Sequence, residues 1–182
     1  MDKKHLWTHT TIAGKEVSFN ADFRNIIDIL IIFTEPNLLE EERLEVALEL
    51  FYNEDSYKDD IETAIKEMFF FINCGEESNS NSQKPLYNWE QDYDIIIAPV
   101  NKTLGFDTRG QEFLHWWTFL SAFMEMGECT LNTYMGIRDK LNHGKRLEKW
   151  EEKIYRDQKD KIRIKQKYDK ETQAIMDEIM GV

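Results

Sequence analysis

Apolar side chains at Phe23, Ile26, Ile27, Leu30 and Ile31 recur at i, i+3, i+4, i+7 and i+8. That spacing marks one face of an α-helix, and it constrains this chain more than any other feature. Ile29, Ile32 and Phe33 make the stretch apolar on most sides, which implies deep burial. Its isoleucines also allow a strand. Length and a capping signal favour the helix: Asn20 can cap it, and Asp22 in the first turn suits the helix dipole.

The other segments are read for what can cover that helix. Residues 6–20 predict a β-hairpin, with Ile12, Val17 and Phe19 on alternating positions around an Ala13-Gly14 turn. Asn37 with Glu40 three residues on is a capping-box pattern for a second helix. That helix buries Leu44, Ala47, Leu48 and Phe51. A third helix is expected from Tyr57, with Ile61, Ile65, Met68 and Ile72 on one stripe and a glycine stop at Cys74-Gly75. Residues 76–88 read as a flexible loop, almost without apolar content over 76–86.

Asn88 can cap a fourth helix through Trp89, Tyr93, Ile96, Ile97 and Val100, which Pro99 kinks or ends. Thr108 with Gln111 suggests a capping box for a fifth helix. That helix carries Phe113, Leu114, Trp116, Trp117, Phe119, Leu120, Phe123 and Met124 as far as Gly127. A short helix over 131–140 follows. Residues 145–180 contain no Gly or Pro and would reach about 54 Å as one helix. This charged stretch is a projecting helix, a partner-binding arm or a partly disordered segment. The expected organisation is therefore 1–75 as hairpin plus helices, 76–88 as loop, 89–144 as an aromatic-rich helical part of the same domain, and 145–182 as a charged C-terminal helix or arm. The expected fold class is mainly α, with a small N-terminal hairpin and a long C-terminal helix.

Charge narrows the function classes. The chain has 182 residues and a formal charge of −12. Residues 145–182 hold 11 Lys+Arg against 9 Asp+Glu, and residues 1–144 hold 12 against 26, so a body of −14 precedes a tail of +2. An acidic body counts against nucleic acid, whose phosphates need a local Lys/Arg excess. The carboxylates of the second helix (Glu40, Glu41, Glu42, Glu45, Glu49) read as a solvated face, or more sharply as a surface that attracts a basic helical partner. No apolar run approaches the roughly 20 residues of a membrane span. The start, Met1-Asp2-Lys3-Lys4-His5, shows no signal-peptide stretch, so a soluble cytosolic protein is expected.

Catalytic patterns are sparse. Cys74 and Cys129 lack ligand spacing and read as ordinary reduced thiols. The glycines match neither a phosphate loop nor a dinucleotide fingerprint. Glu112-x-x-His115 has the spacing used by di-iron helical bundles, but that chemistry needs a second copy and further carboxylates. His5, His9 and His143 offer no such partner. The blander reading is a core histidine hydrogen-bonded beside two tryptophans. No cofactor and no metal are expected.

Several stretches, in order and spacing, resemble a known family. They are Asn20-Ala21-Asp22-Phe23-Arg24 after the Gly14-Lys15 hairpin, Ala47-Leu48-Glu49-Leu50-Phe51-Tyr52, and Phe71-Ile72-Asn73-Cys74-Gly75. Tyr87-Asn88-Trp89-Glu90-Gln91-Asp92-Tyr93-Asp94-Ile95 and Met135-Gly136-Ile137-Arg138 belong with them. The most specific is Phe113-Leu114-His115-Trp116-Trp117-Thr118-Phe119. Over residues 8–165 the set is similar to the bacteriophage "gene product fifteen" family, found among tail genes of phages and prophages of Gram-positive bacteria.

The resemblance implies a non-catalytic tail assembly chaperone in the host cytoplasm. It would bind the tape measure protein, with the first tail assembly chaperone and the tail tube protein as further partners. It also implies aromatics that form a groove for a helix. Asp22, Phe23, Arg24, His115, Trp116 and Trp117 carry over as signature positions, either as a shared core or as direct partner contacts. Two other readings stand beside this one: a minor structural component of the tail, and a metal-dependent enzyme using Glu112 and His115. Homo-oligomer formation is left open, and residues 166–182 extend past the resemblance.

Overall fold

Alternation in the hairpin and 3.6-residue periodicity elsewhere predict one small sheet among helices. The computed structural model, which describes residues 5–76 and 84–167, has that architecture: two antiparallel strands and eight α-helices among the described residues. They form two compact units. The first comprises residues 5–76, 112–119 and Lys167, and the second residues 84–111 and 120–166. The segment 112–119, expected with the C-terminal half, thus belongs with the N-terminal elements.

In the first unit, β1 (His9–Ile12) pairs with β2 (Lys15–Ser18), His9 opposite Ser18 and Ile12 opposite Lys15. Ala13 (φ 49°) and Gly14 (φ 77°) both take left-handed conformations, the geometry whose twist matches the flanking strands. Ile12, Val17 and Phe19 are buried, as their alternation predicts. Helix α1 (Phe23–Ile32) buries Phe23, Ile26, Ile27 and Ile29. Its cap is Asp22 rather than Asn20: Asp22 Oδ1 accepts from the Arg24 N–H at 3.0 Å, while Asn20 Oδ1 accepts from the Asp22 N–H at 3.2 Å.

Helix α2 (Glu40–Phe51) also starts later than the Asn37 signal suggests. The Asn37 side chain donates to Glu35, whereas the Glu42 carboxylate accepts from the Leu39 N–H at 2.7 Å. A 3-10 turn over Asp55–Asp60 leads into α3 (Ile61–Ile72), capped by Asp60. The buried stripe of α3 is Ala64, Met68, Phe71 and Ile72, not the expected Ile61, Ile65, Met68 and Ile72. Ile61 is 50% exposed, and Ile65, Phe69 and Phe70 are partly buried. The helix ends in a Schellman motif: Gly75 N–H donates to Phe70 O, and Cys74 N–H to Phe71 O. Cys74, at φ 54°, takes the left-handed position one residue before the expected glycine.

In the second unit, Asn88 Oδ1 accepts from the Glu90 and Gln91 N–H groups, forming a turn ahead of α4 (Tyr93–Leu104). Pro99 lies inside α4 without ending it; the helix stops at Gly105, φ 79°. Thr108–Gly110 is a 3-10 turn rather than a capping box, with the Thr108 N–H bound to Asn101 Oδ1 at 2.9 Å. Helix α5 (Trp116–Met124) carries the chain from the first unit into the second; Phe113 and Leu114 precede it. Helix α6 (Thr130–Asn142) buries Leu131, Tyr134, Ile137 and Arg138.

The expected long C-terminal helix is corrected over the described residues. They contain α7 (Lys149–Asp157) and α8 (Lys159–Ile162), then extended chain at Arg163. Ile162 is fully buried in a cluster with Tyr134 and Ile137, joined by Ile95, Leu147, Ile154 and Tyr155. Burying that one isoleucine and offering its carbonyl as an acceptor outweighs continuing a highly charged helix. The expectation for residues 168–182 lies outside the described residues. No described helix is long and apolar enough to cross a membrane.

Candidate functional site

The two most specific sequence stretches meet in the first unit. Asp22 and His115 form an isolated antiparallel bridge. Phe23 N–H donates to Leu114 O at 2.9 Å and Trp116 N–H to Ala21 O at 2.8 Å. The Asp22 carboxylate ties the pieces together. Its Oδ2 accepts from the Leu114 N–H at 3.0 Å, and its two oxygens accept from Arg24 Nε at 2.7 Å and Nη2 at 2.8 Å. Arg24 Nη2 also donates to Glu112 O at 2.9 Å. Burial pushes the Asp22 carboxyl up, but the Arg24 guanidinium and the Leu114 and Arg24 N–H groups outweigh it and hold its pKa below the ordinary value.

His115 uses both ring nitrogens. Nε2 donates to Trp7 O at 2.9 Å, and Nδ1 accepts from the Trp117 N–H at 3.1 Å. This pair of bonds requires the neutral ring with its proton on Nε2. Burial pushes the His115 pKa down, against the opposing pull of the Trp7 carbonyl. The neighbouring indoles reach α3. Trp116 Nε1 donates to Ile72 O and Trp117 Nε1 to Phe71 O, both at 2.9 Å. These carbonyls lie in the last turn of α3, where a helix cannot supply its own donors. Rings close the cluster: Phe23 stacks on Phe119 at 4.5 Å and Phe71 on Trp117 at 5.5 Å.

Phe23, Asp22, His115, Trp116 and Trp117 are all buried, and Arg24 is partly exposed. The arrangement is a clamp that joins the α1 start, the extended segment 112–115 with the first turn of α5, and the α3 end. It corrects the premise of a helical Glu112-x-x-His115 pair, since neither residue lies on a helix and both His115 nitrogens are engaged. No group of three His, Cys, Asp or Glu side chains is placed to hold a metal among the described residues.

A second constellation escaped the sequence reading. In the second unit, Arg138 Nη1 and Nη2 donate to Asp92 Oδ2 and Oδ1 at 2.6 and 2.9 Å, both side chains buried. Arg138 also donates to the carbonyls of Leu86 (2.9 Å), Lys161 (3.1 Å) and Ile162. Asp92 Oδ2 further accepts from the Asn88 N–H at 2.9 Å. Gln91 grips the same C-terminal stretch, donating to Lys161 O and Arg163 O and accepting from the Lys165 N–H at 2.8 Å. One signal was available: Leu131, Tyr134 and Arg138 share one helical stripe, so an arginine stands at a core position.

The open surface of the first unit lies elsewhere. Two depressions share Ile65 and Phe69 of α3. One, of about 370 Å³, adds Phe33, Arg43 and Leu44; the other, of about 620 Å³, adds Phe70 and Asn73. A third, of about 640 Å³, runs along residues 6–11 beside Glu67 and Phe70. Phe33, Phe69 and Phe70 line these depressions, while Trp116 and Trp117 fill the interior.

Comparison with curated proteins and with solved structures returned no match. The family model described as Bacteriophage Gp15 protein matches residues 3–169, a span that contains every described residue. That span contains both the Asp22–Trp117 clamp and the Asp92–Arg138 pair, and the chain belongs to the Bacteriophage Gp15 protein family.

Proposed function

We propose that this phage protein is a non-catalytic tail assembly chaperone that holds helical segments of the tape measure protein. The observation that carries the reading is the apolar trough on the outer face of α3, with Ile65 and Phe69 at its centre. A trough of this kind suits an amphipathic helix with anchors at i, i+3 or i+4 and i+7. Glu40 on the trough wall, with Glu41, Glu42, Glu45 and Glu49 elsewhere on α2, favours a partner helix with basic flanks. The first tail assembly chaperone and the tail tube protein are further partners in this reading, and the host cytoplasm is where it acts.

Co-expression tests it. The tape measure protein should stay soluble with this chain and co-elute with it on gel filtration. An insoluble tape measure protein with no complex would sink the proposal. Mass spectrometry of purified particles should find the chain absent; its presence would favour a structural component of the tail.

A further inference from the structure

We infer that the open edge of β1 is a docking site for an extended segment of a partner protein, one that alternates a basic with an apolar side chain. The register of the hairpin shows which backbone groups are open. Ile12 and Lys15 flank a two-residue turn, and the Phe19 N–H donates to Thr8 O at 2.8 Å. Residues 8, 10 and 12 therefore turn their N–H and C=O groups toward β2, and residues 7, 9 and 11 turn theirs away from it.

Other outward groups nearby are taken. Trp7 O accepts from His115 Nε2, Ser18 O accepts from the Asn53 N–H at 3.2 Å, and the Ser18 N–H donates to Glu54. At His9 and Thr11 no described group meets the outward N–H or C=O. No proline, bulge or lysine blunts β1, and a strand edge left in this state is a template for another strand.

The depression of about 640 Å³ beside residues 6–11 gives that strand room, and Glu67 and Phe70 of α3 form its far wall. A strand laid beside β1 turns alternate side chains, about 7 Å apart, toward this wall. Phe70 offers an apolar seat. Glu67 Oε2 accepts from Thr10 Oγ1 at 2.7 Å, while Oε1 meets no described donor. A lysine or arginine two positions from an apolar residue matches both. Charge also selects against a second copy of this chain as the occupant. Pairing β1 with its copy would bring together two chains of −12, with a Glu67 from each beside the joined strands. The edge site borders the trough at Phe70 but does not depend on that trough's holding a helix.

A capped hexapeptide of sequence TKTITV, added at millimolar concentration to the full chain, is the probe, with amide hydrogen exchange read by NMR. The His9 and Thr11 amides should exchange freely in the chain alone and about tenfold slower at saturation with peptide. The same peptide N-methylated throughout, which lacks backbone donors, should not bind. Replacing its lysine with glutamate should weaken binding about threefold, as should Glu67→Gln, which keeps an acceptor for Thr10. Ile65→Ser should leave peptide binding unchanged. No slowing at His9 and Thr11, or equal binding of the N-methylated peptide, would overturn the inference. Slow exchange of both amides in the chain alone would also overturn it: the edge would then be covered within the chain or, where dilution restores exchange, by a second copy.

Discussion

Arg138 and Asp92, 46 positions apart in the chain, make a bidentate ion pair at 2.6 and 2.9 Å in the interior of the second unit. The same guanidinium holds the carbonyls of Lys161 and Ile162, so the pair also anchors the end of α8. Removing one partner leaves a buried charge uncompensated, which costs about 3–5 kcal/mol. Asp92→Ala should lower the stability of the chain by about that amount in urea unfolding. Trypsin cleavage at Lys161 should accelerate, because Arg138 loses the carboxylate that orients it toward the Lys161 and Ile162 carbonyls, while Gln91 still holds Arg163 and Lys165. Unchanged cleavage would show that Gln91 and the apolar contacts of Ile162 suffice to hold α8.

Asp22 gives a pH signature of one sign. Its pKa in the folded chain lies below the ordinary value. The unfolded chain therefore takes up the proton first as pH falls, from about 3.9 downward. The stabilisation from Asp22 is complete above that value and is lost as pH falls through the folded-state pKa. Asp22→Ala should cost about 2 kcal/mol at pH 6, from a lost cap and an unsatisfied Leu114 N–H. The difference from the parent chain should shrink toward pH 3 in denaturant titrations.

His115 acts in a different window. Burial lowers its pKa, so the unfolded chain protonates first, below about 6.5, while the folded ring stays neutral. Stability from this group is present above that value and declines as pH falls toward the folded-state pKa. Protonating Nδ1 would also remove the acceptor for the Trp117 N–H. The urea midpoint of the parent chain should therefore drop between pH 7.5 and pH 5, and that drop should be smaller in His115→Gln.

The indoles separate stability from partner binding. Trp117→Phe removes the donor to Phe71 O and some ring volume, and should cost about 1–3 kcal/mol. Complex formation with the tape measure protein should survive at temperatures where the variant is folded. Ile65→Ser, on the open trough, should weaken the complex on gel filtration with little change in thermal midpoint. The reverse pattern would move the binding surface to the clamp.

Local chemistry was legible wherever neighbours along the chain decide it. The hairpin followed from alternation around Ala13-Gly14, and α1 from its apolar repeat. Caps were less legible because several polar residues compete at each helix start. Asp22 rather than Asn20 caps α1, since its carboxylate also has Leu114 and Arg24 to satisfy. The stripe of α3 was misread by one face because Ile61 and Ile65 are as apolar as Ala64 and Phe71. Only packing chooses between two apolar faces of one helix.

The sequence by itself determined a mainly helical chain with an N-terminal hairpin and, through its His-Trp-Trp and Met-Gly-Ile-Arg stretches, its family. Periodicity and short motifs carry that information because they depend on residues a few positions apart. Tertiary structure alone decided what those stretches do. Asp22 meets Leu114 across 92 positions, Trp116 meets Ile72 across 44, and Arg138 meets Asp92 across 46. Buried donors and charges must find partners wherever the fold brings them, and no local pattern specifies which carbonyl or carboxylate that will be.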